Sequence, residues 1–550
     1  MSHSEPAFRL RNIGISVHAQ YKITDNGAIS LPSPFFSSRP MSISHEEVHQ
    51  IHGVPPPAPG EEPVLVQQRT PLPKVQLAIV MLINLAEPVT GTVIYPFINK
   101  FVRETGIING DERRTGYYAG IIESVFFLSE SLTVVQWGYL SDRYGRRPIL
   151  VLGTFGAALA VFFFGLQTTF WPLVFFRCLQ GIFNGNIGVS KTVIAELSDP
   201  TNIGDAFAVI PFTWSIGITV GPIIGGLLTD PAVRWPDTFG RFEYFRTHPY
   251  FLPCAAASFI AFIVFLATFT GLKETLASLA PQEEKSIENG PPSEETRLLT
   301  QNGVHYDGSS CHSSSRNDSP NQCKSDLPTT NDDRNDFNRV LFSRHLLLTL
   351  LNYAFLAFLD MGNFVLLPLM YSTSVPLGGL GLEPYRIGMV LAAFGVINSV
   401  VQAFALGPLI RRYGARKMYI ISFAAILGSF VLFPVLKFLA RRAGGVDRYV
   451  VACISLQLAF QTTILIGYGS MQILLIQDVP DRYLGTVNGV GQMVGSGTRG
   501  IAPTFASSLY SLSLEKHLAG GNMVFYVLIG MNIIGIICST FIPKPTKIRQ

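Results

Sequence analysis

From residue 75 onward the chain alternates long apolar runs with short polar turns. The runs lie at about 75–99, 115–138, 147–169, 171–192, 205–229 and 250–272. A second set follows at about 345–371, 385–407, 415–438, 449–474, 485–510 and 522–543. Each approaches the roughly 20 apolar residues that a helix needs to cross bilayer hydrocarbon. The pattern predicts an all-α membrane protein of twelve transmembrane helices, arranged as six-helix bundles over 75–273 and 345–543. Residues 1–74 are polar and Pro-rich, without helical periodicity, and read as a disordered cytoplasmic tail. The stretch 274–344, rich in Ser, Asn, Asp, Glu and Pro, reads as a disordered cytoplasmic linker, and 544–550 as a second cytoplasmic tail.

Composition agrees. Charged residues are 14% of the chain, against roughly 25% in soluble domains. Mean hydropathy is +0.33, and a net charge of only +4 points to no nucleic-acid partner. No apolar segment precedes residue 75, so the first span is expected to serve as the insertion signal. Cys178, Cys453 and Cys538 lie inside apolar runs and Cys254 near the start of one; no disulfide framework is apparent. His305, Cys311, His312 and Cys323 match no zinc spacing, and no metal or other cofactor is expected. No Walker lysine, nucleophile elbow or zinc-protease motif occurs in a usable context, which argues against an enzyme.

The turn Gly138-Tyr-Leu-Ser-Asp142-Arg143-Tyr-Gly145-Arg146-Arg147-Pro148 joins the second and third runs. Its excess of Arg places it in the cytoplasm, because basic loops stay on that side. A degenerate copy, Gly407-Pro-Leu-Ile-Arg411-Arg412-Tyr413-Gly414-Ala-Arg416-Lys417, follows the eighth run. At an offset of 269, Arg143, Gly145 and Arg147 meet Arg412, Gly414 and Arg416, while Asp142 meets Arg411. The duplication and the even span count put both termini on the cytoplasmic side; Lys437, Arg441, Arg442 and Arg448 are a basic group on the other. The first turn resembles the signature loop of the major facilitator superfamily. That resemblance implies two pseudo-symmetric bundles around a central cavity. It also implies a gate in which Asp142, Arg143 and Arg146 hold the cytoplasmic side closed. Asp142 would then face the positive N-terminal end of the eleventh helix.

Ionisable groups inside spans are costly and face a cavity or a partner. Glu87, beside helix-bending Pro88, sits midway along the first span; Asp360 sits midway along its counterpart, the seventh. Glu123 and Glu130 lie seven apart and share a face of the second span. They either line the cavity or pair with a basic group. Arg177 opens Arg177-Cys-Leu-Gln180-Gly181, which resembles a facilitator fourth-helix motif and implies a part in proton coupling. A cation near a carboxyl such as Glu87 favours the ionised acid, so moving it away would load a proton. Lys191 is expected to snorkel to the interface, and Arg499 is a further intramembrane cation without an assigned role. Gly217, Gly221, Pro222, Gly225 and Gly226 form a small-residue face. They resemble the motif of proton-coupled antiporters. Asn84, Asn184, Asn363, Gln402 and Gln461 are candidate cavity residues.

Further pieces, including Leu85-Ala-Glu87-Pro88, Tyr117-Tyr118-Ala-Gly120 and Glu196-Leu-Ser-Asp199-Pro200, resemble fungal facilitators akin to plant zinc-induced facilitator-like and drug:proton antiporters. The implied function is proton-driven antiport exporting a small molecule, by a monomer with protons, substrate and lipid as its partners. Alternatives are a nutrient symporter or uniporter, and a non-transporting receptor or scaffold on the same fold. The linker's Glu294-Glu295-Thr-Arg297-Leu298-Leu299 fits an acidic dileucine signal, leaving vacuolar and plasma membranes both open. The Asn317-Asp-Ser319 sequon is expected to be cytosolic and unused.

Overall fold

The computed structural model describes residues 70–199, 202–276, 342–477, 479 and 484–542. Most of the N-terminal tail, the last tail, and the linker with its dileucine signal, sequon and His/Cys group lie outside the described residues. The first half contains α1 (Lys74–Thr92), α2 (Thr115–Tyr144), α3 (Arg146–Gly165), α4 (Phe170–Asn184, resuming as Ile187–Glu196), α5 (Ile203–Leu228) and α6 (Phe251–Gly271). The second contains α7 (Arg344–Ser372), α8 (Pro384–Phe404), α9 (Ala415–Ala443), α10 (Arg448–Ile476), α11 (Leu484–Glu515) and α12 (Met523–Thr540). Among the described residues, ten helices are long and apolar enough to cross a membrane. The other two of the twelve are α4, which is split, and α11, which carries Gln492, Ser496, Thr498 and Arg499 along its middle.

Local chemistry explains several boundaries. Ser343 caps α7 by accepting from the Leu346 amide, and Asp447 caps α10 by accepting from Tyr449 and Val450. The predicted first run, 75–99, breaks after Thr92 and resumes as Ile98–Glu104; Pro96 lies in the break and has no N–H to continue the ladder. α4 breaks at Gly185 and Asn186. There Trp137 Nε1 donates to the Ile182 carbonyl at 2.6 Å, and Thr133 adds a bond at 3.2 Å. These side chains satisfy a carbonyl at the interrupted end.

The internal repeat is physical. Gly145 has φ 101° and ψ 156°, and Gly414 has φ 82° and ψ 147°; a Cβ would be strained in either. Arg147 donates to the Phe269 carbonyl at the end of α6, and Arg416 donates to the Thr540 and Ile542 carbonyls at the end of α12. Each basic turn thus caps the last helix of its own half. Two members of the basic group on the other side are also bonded to backbone. Lys437 is buried and donates to the Gly520 carbonyl, and Arg441 donates to that of Pro376.

The halves meet along two seams, α2 against α11 and α5 against α8. Both are tight at the end away from the basic turns. A Cβ on Gly120 would lie 1.9 Å from Ser507 Oγ, and one on Gly226 would lie 2.8 Å from Gly388 Cα. At the basic-turn end the seams part. Leu132, Val135 and Tyr139 on α2, Met493 on α11 and Phe404 on α8 are exposed, and a Cβ on Gly138 or Gly489 would meet nothing within 4 Å.

Candidate functional site

The two spanning halves carry seven charged side chains inside their helices, away from the helix ends of the basic turns. In the N-terminal half, α2 and α4 run parallel in a constant register. Glu123 meets Arg177 and Glu130 meets Asn184, both at an offset of 54. Two steps of seven residues place Arg177, Asn184 and Lys191 on one face of α4, as they place Glu123 and Glu130 on one face of α2. Packing favours this register: a Cβ on Gly181 would lie 2.2 Å from the Phe126 carbonyl oxygen.

Arg177 is 1% exposed and donates to Glu123 Oε2 at 2.9 Å, to Gln180 at 2.7 Å and to the Gly91 carbonyl at 3.2 Å. Its guanidinium also lies 4.4 Å from the Phe126 ring centroid. Glu123 accepts a further bond from Tyr95. Arg177 is therefore paired with Glu123, not with Glu87. Glu87 belongs to a second group, in which the Asn184 amide donates 3.1 Å bonds to both Glu87 and Glu130. Glu87 Oε2 is buried with no partner. Lys191 and Arg499 stand within electrostatic reach of both carboxylates. Lys191 does not snorkel: the second half of α4 turns it toward these acids.

In the C-terminal half Tyr468 donates to Asp360 at 3.0 Å, and Arg499 lies 5.4 Å from the Tyr468 ring centroid. Tyr353 packs edge-on against Tyr468 at 6.1 Å. Arg499 is thus within electrostatic reach of Asp360 on its own half and of Glu87 and Glu130 on the other. The sequence marked Arg499 as an intramembrane cation but gave it no partner, and nothing in it pointed to Tyr95 or Tyr468. The spacing from Asn184 to Lys191 was a usable signal for Lys191. Glu87, Glu123, Glu130 and Asp360 stand against Arg177, Lys191 and Arg499. Fully ionised, the array carries one excess negative charge.

The Gly217 to Gly226 face seats α5 on α1 next to Glu87. Added Cβ atoms on Gly217, Gly221 and Gly225 would collide with Pro88, Thr92 and the Val93 carbonyl. Pro222 lies inside α5, and Gly226 continues the face across to α8. The neutral candidates divide. Asn363 donates to Ser429 and Gln461, tying α7 to α9 and α10, so these two amides serve bundle packing. Asn84 donates to its own helix at Val80 and accepts from Ser190. Asn184 belongs to the charged array, and Gln402 has a buried oxygen without a partner.

The signature turn is bound within its own half. Arg146 donates to Asp142 at 2.5 Å, to Glu196 at 2.9 Å and to Ser141 at 2.6 Å. Glu274 accepts from the backbone amides of Arg146 and Arg147, occupying the positive end of α3. Arg143 lies beside the Tyr144 ring. The Asp142 side chain is 66% exposed and bonded to Arg146, not seated against the described part of α11. The seams have parted at this end, which leaves α11 away from the carboxylate. A separate cavity of about 630 Å³ opens at the opposite end, between Arg103, Asp230 and Arg234 of one half and Ser372 and Tyr385 of the other.

Comparison with known proteins places this arrangement. The Major Facilitator Superfamily model matches residues 80–503. The chain is 28% identical to the major facilitator-type transporter psiT2 of Psilocybe cyanescens, over 88% of this chain and 92% of that protein. It is 27% identical to the efflux pump azaK of Aspergillus niger, covering 86% and 89%. It is also 27% identical to ZINC INDUCED FACILITATOR-LIKE 1 of Arabidopsis thaliana, covering 86% and 92%. A crystal structure of a D-xylose-proton symporter superposes with a TM-score of 0.60 at 14% identity, covering 86% of this chain and 98% of that one. With its long apolar helices, ten of them able to span a membrane among the described residues, its duplicated turn and paired seams, the chain is a multi-pass transporter that belongs to the major facilitator superfamily.

Proposed function

We propose that the protein exports a small solute from the cytosol by proton-coupled antiport. The observation that carries this reading is the buried charge array shared by the two halves. Intramembrane charges are expensive to keep, and a receptor or scaffold has little need of seven. The array's one excess negative charge fits a single bound proton or a cationic equivalent. The protonatable groups are Glu87, whose Oε2 has no partner, and Asp360, held by Tyr468. Arg499 interacts electrostatically with both, so a change in the proton load of either shifts the balance of its attractions. The α5 glycine face, packed on Glu87's own helix, links that site to the moving seam.

The parted end carries the signature turn, which the basic-loop rule assigns to the cytoplasm. The state described is therefore cytoplasm-facing, with the outer end closed. Its gate residues Gly138, Asp142, Arg143, Gly145, Arg146 and Arg147 make no hydrogen bond to the described part of the other half and would close onto α11 as the cycle turns. The membrane is the vacuolar or the plasma membrane. Sealed liposomes containing a pH-sensitive dye test the reading with a panel of amines, organic anions and metal chelates. Substrate-dependent proton flux that is lost in Glu87→Gln or Asp360→Asn supports coupling. Substrate flux without proton movement, unchanged in both variants, rejects it.

A further inference from the structure

The closed end contains a polar clamp whose two sides come from opposite halves. Arg103, in the short helix Ile98–Glu104 after α1, pairs with Glu112 at 3.4 Å. Together they grip the end of α7. Arg103 Nη2 donates to the Ser372 carbonyl at 3.3 Å, and Glu112 Oε1 accepts from the Ser374 amide at 3.0 Å. Ser372 is the last residue of α7, so its carbonyl is one of those a helix end leaves unpaired. The gripped segment is stiff. The amides of Leu380, Gly381 and Leu382 bond back to the carbonyls of Met370, Thr373 and Tyr371. A pull on Ser372 therefore acts on α7 itself, which carries Asp360 about three turns away.

The geometry points to Arg103 and Glu112 as positioning residues that hold the outer end shut, by reading one carbonyl and one amide of α7's terminus. This rests on the transport reading above, in which the cytoplasm-facing state closes at one end and opens at the other as the cycle turns. It differs from an ordinary ion pair in polarity, because position 103 must donate and position 112 must accept. Exchanging the two charges would preserve the pair and lose both backbone bonds.

The test is accessibility of Thr219→Cys, placed on the closed α5–α8 seam where Thr219 faces Gly395. An impermeant thiol reagent is applied to the membrane face opposite the basic turns, with the unmodified chain as the background for native cysteines. Loss of a charge-assisted backbone bond predicts labelling about tenfold faster in Glu112→Ala and Arg103→Ala. Glu112→Gln, which still accepts from Ser374, stays near the parent rate. The exchanged pair Arg103→Glu/Glu112→Arg labels as fast as the alanine variants. Ser374→Pro probes the clamp from the other half. Ser374 already has φ −62° and Thr373 is extended, so proline fits there while removing the amide donor. It is expected to match Glu112→Ala, with no further increase in the double variant. Parent-rate labelling in the alanine and proline variants, or restored closure in the exchanged pair, overturns the clamp. Labelling needs neither substrate nor protons. A transporter without proton coupling would therefore leave this result standing, and coupled transport with unchanged labelling would remove the clamp alone.

Discussion

Arg177→Met should destabilise the N-terminal bundle more than most single changes can. Arg177 is 1% exposed, and its loss strips Glu123 of its 2.9 Å ion pair while leaving it enclosed with Tyr95. It also removes the bonds to Gly91 and Gln180 and the contact over Phe126. Breaking one side of a buried ion pair costs about 3–5 kcal/mol, because the remaining charge has no counterpart. At roughly 2–4 °C per kcal/mol for a bundle of this size, the unfolding midpoint should fall by about 10 °C. The double variant Arg177→Met/Glu123→Gln removes both charges and keeps an acceptor for Tyr95, so it should regain about half of that loss. The assay is thermal unfolding in detergent with a thiol-reactive dye, since Cys254 and Cys453 are buried in the folded protein. A single variant within about 2 °C of the parent, or a double variant less stable than the single, would refute the reasoning.

Two further outcomes follow from the backbone and the seams. Gly226→Val places carbon against Gly388 Cα and the Pro384 carbonyl, where nothing flexible can yield. Overpacking of about 1–3 kcal/mol should open the outer end and raise labelling of Thr219→Cys from that side, whereas Gly489→Ala, which meets nothing, should leave it unchanged. Gly145→Ala and Gly414→Ala should each lower the unfolding midpoint by a few degrees, because a Cβ at positive φ costs roughly 1–2 kcal/mol. Equal stability of Gly414→Ala and parent would contradict the shared turn geometry.

Span count, duplication and the location of the charges were legible in the sequence because each has a one-dimensional signature. Run length gives a span, a fixed offset gives the repeat, and an acid inside an apolar run marks itself. The run 485–510 has the length of a span, although the middle of α11 carries Gln492, Ser496, Thr498 and Arg499. The partners were not legible. That Arg177 takes Glu123, and leaves Glu87 to share Asn184 with Glu130, depends on the register of α2 against α4. That register is set by close contacts such as Gly181 on Phe126. Nor could hydropathy separate amides that tie helices together, Asn363 and Gln461, from one in the charged array, Asn184. Lys191 read as a snorkelling residue because it lies near the end of an apolar run. The break at Gly185 and the face shared with Asn184 bring it to the acids instead. The Asp142 expectation described a gate closed at the signature turn, while this state is open there.

The most direct test of the account is the direction of proton flow against substrate flow. Purified protein in liposomes of known sidedness receives an imposed proton gradient, and a transported member of the panel is followed together with internal pH. The account predicts that substrate moves opposite to the protons, and that Glu87→Gln or Asp360→Asn abolishes the link. Substrate accumulating in the same direction as the protons would contradict antiport and make the array the site of a symporter.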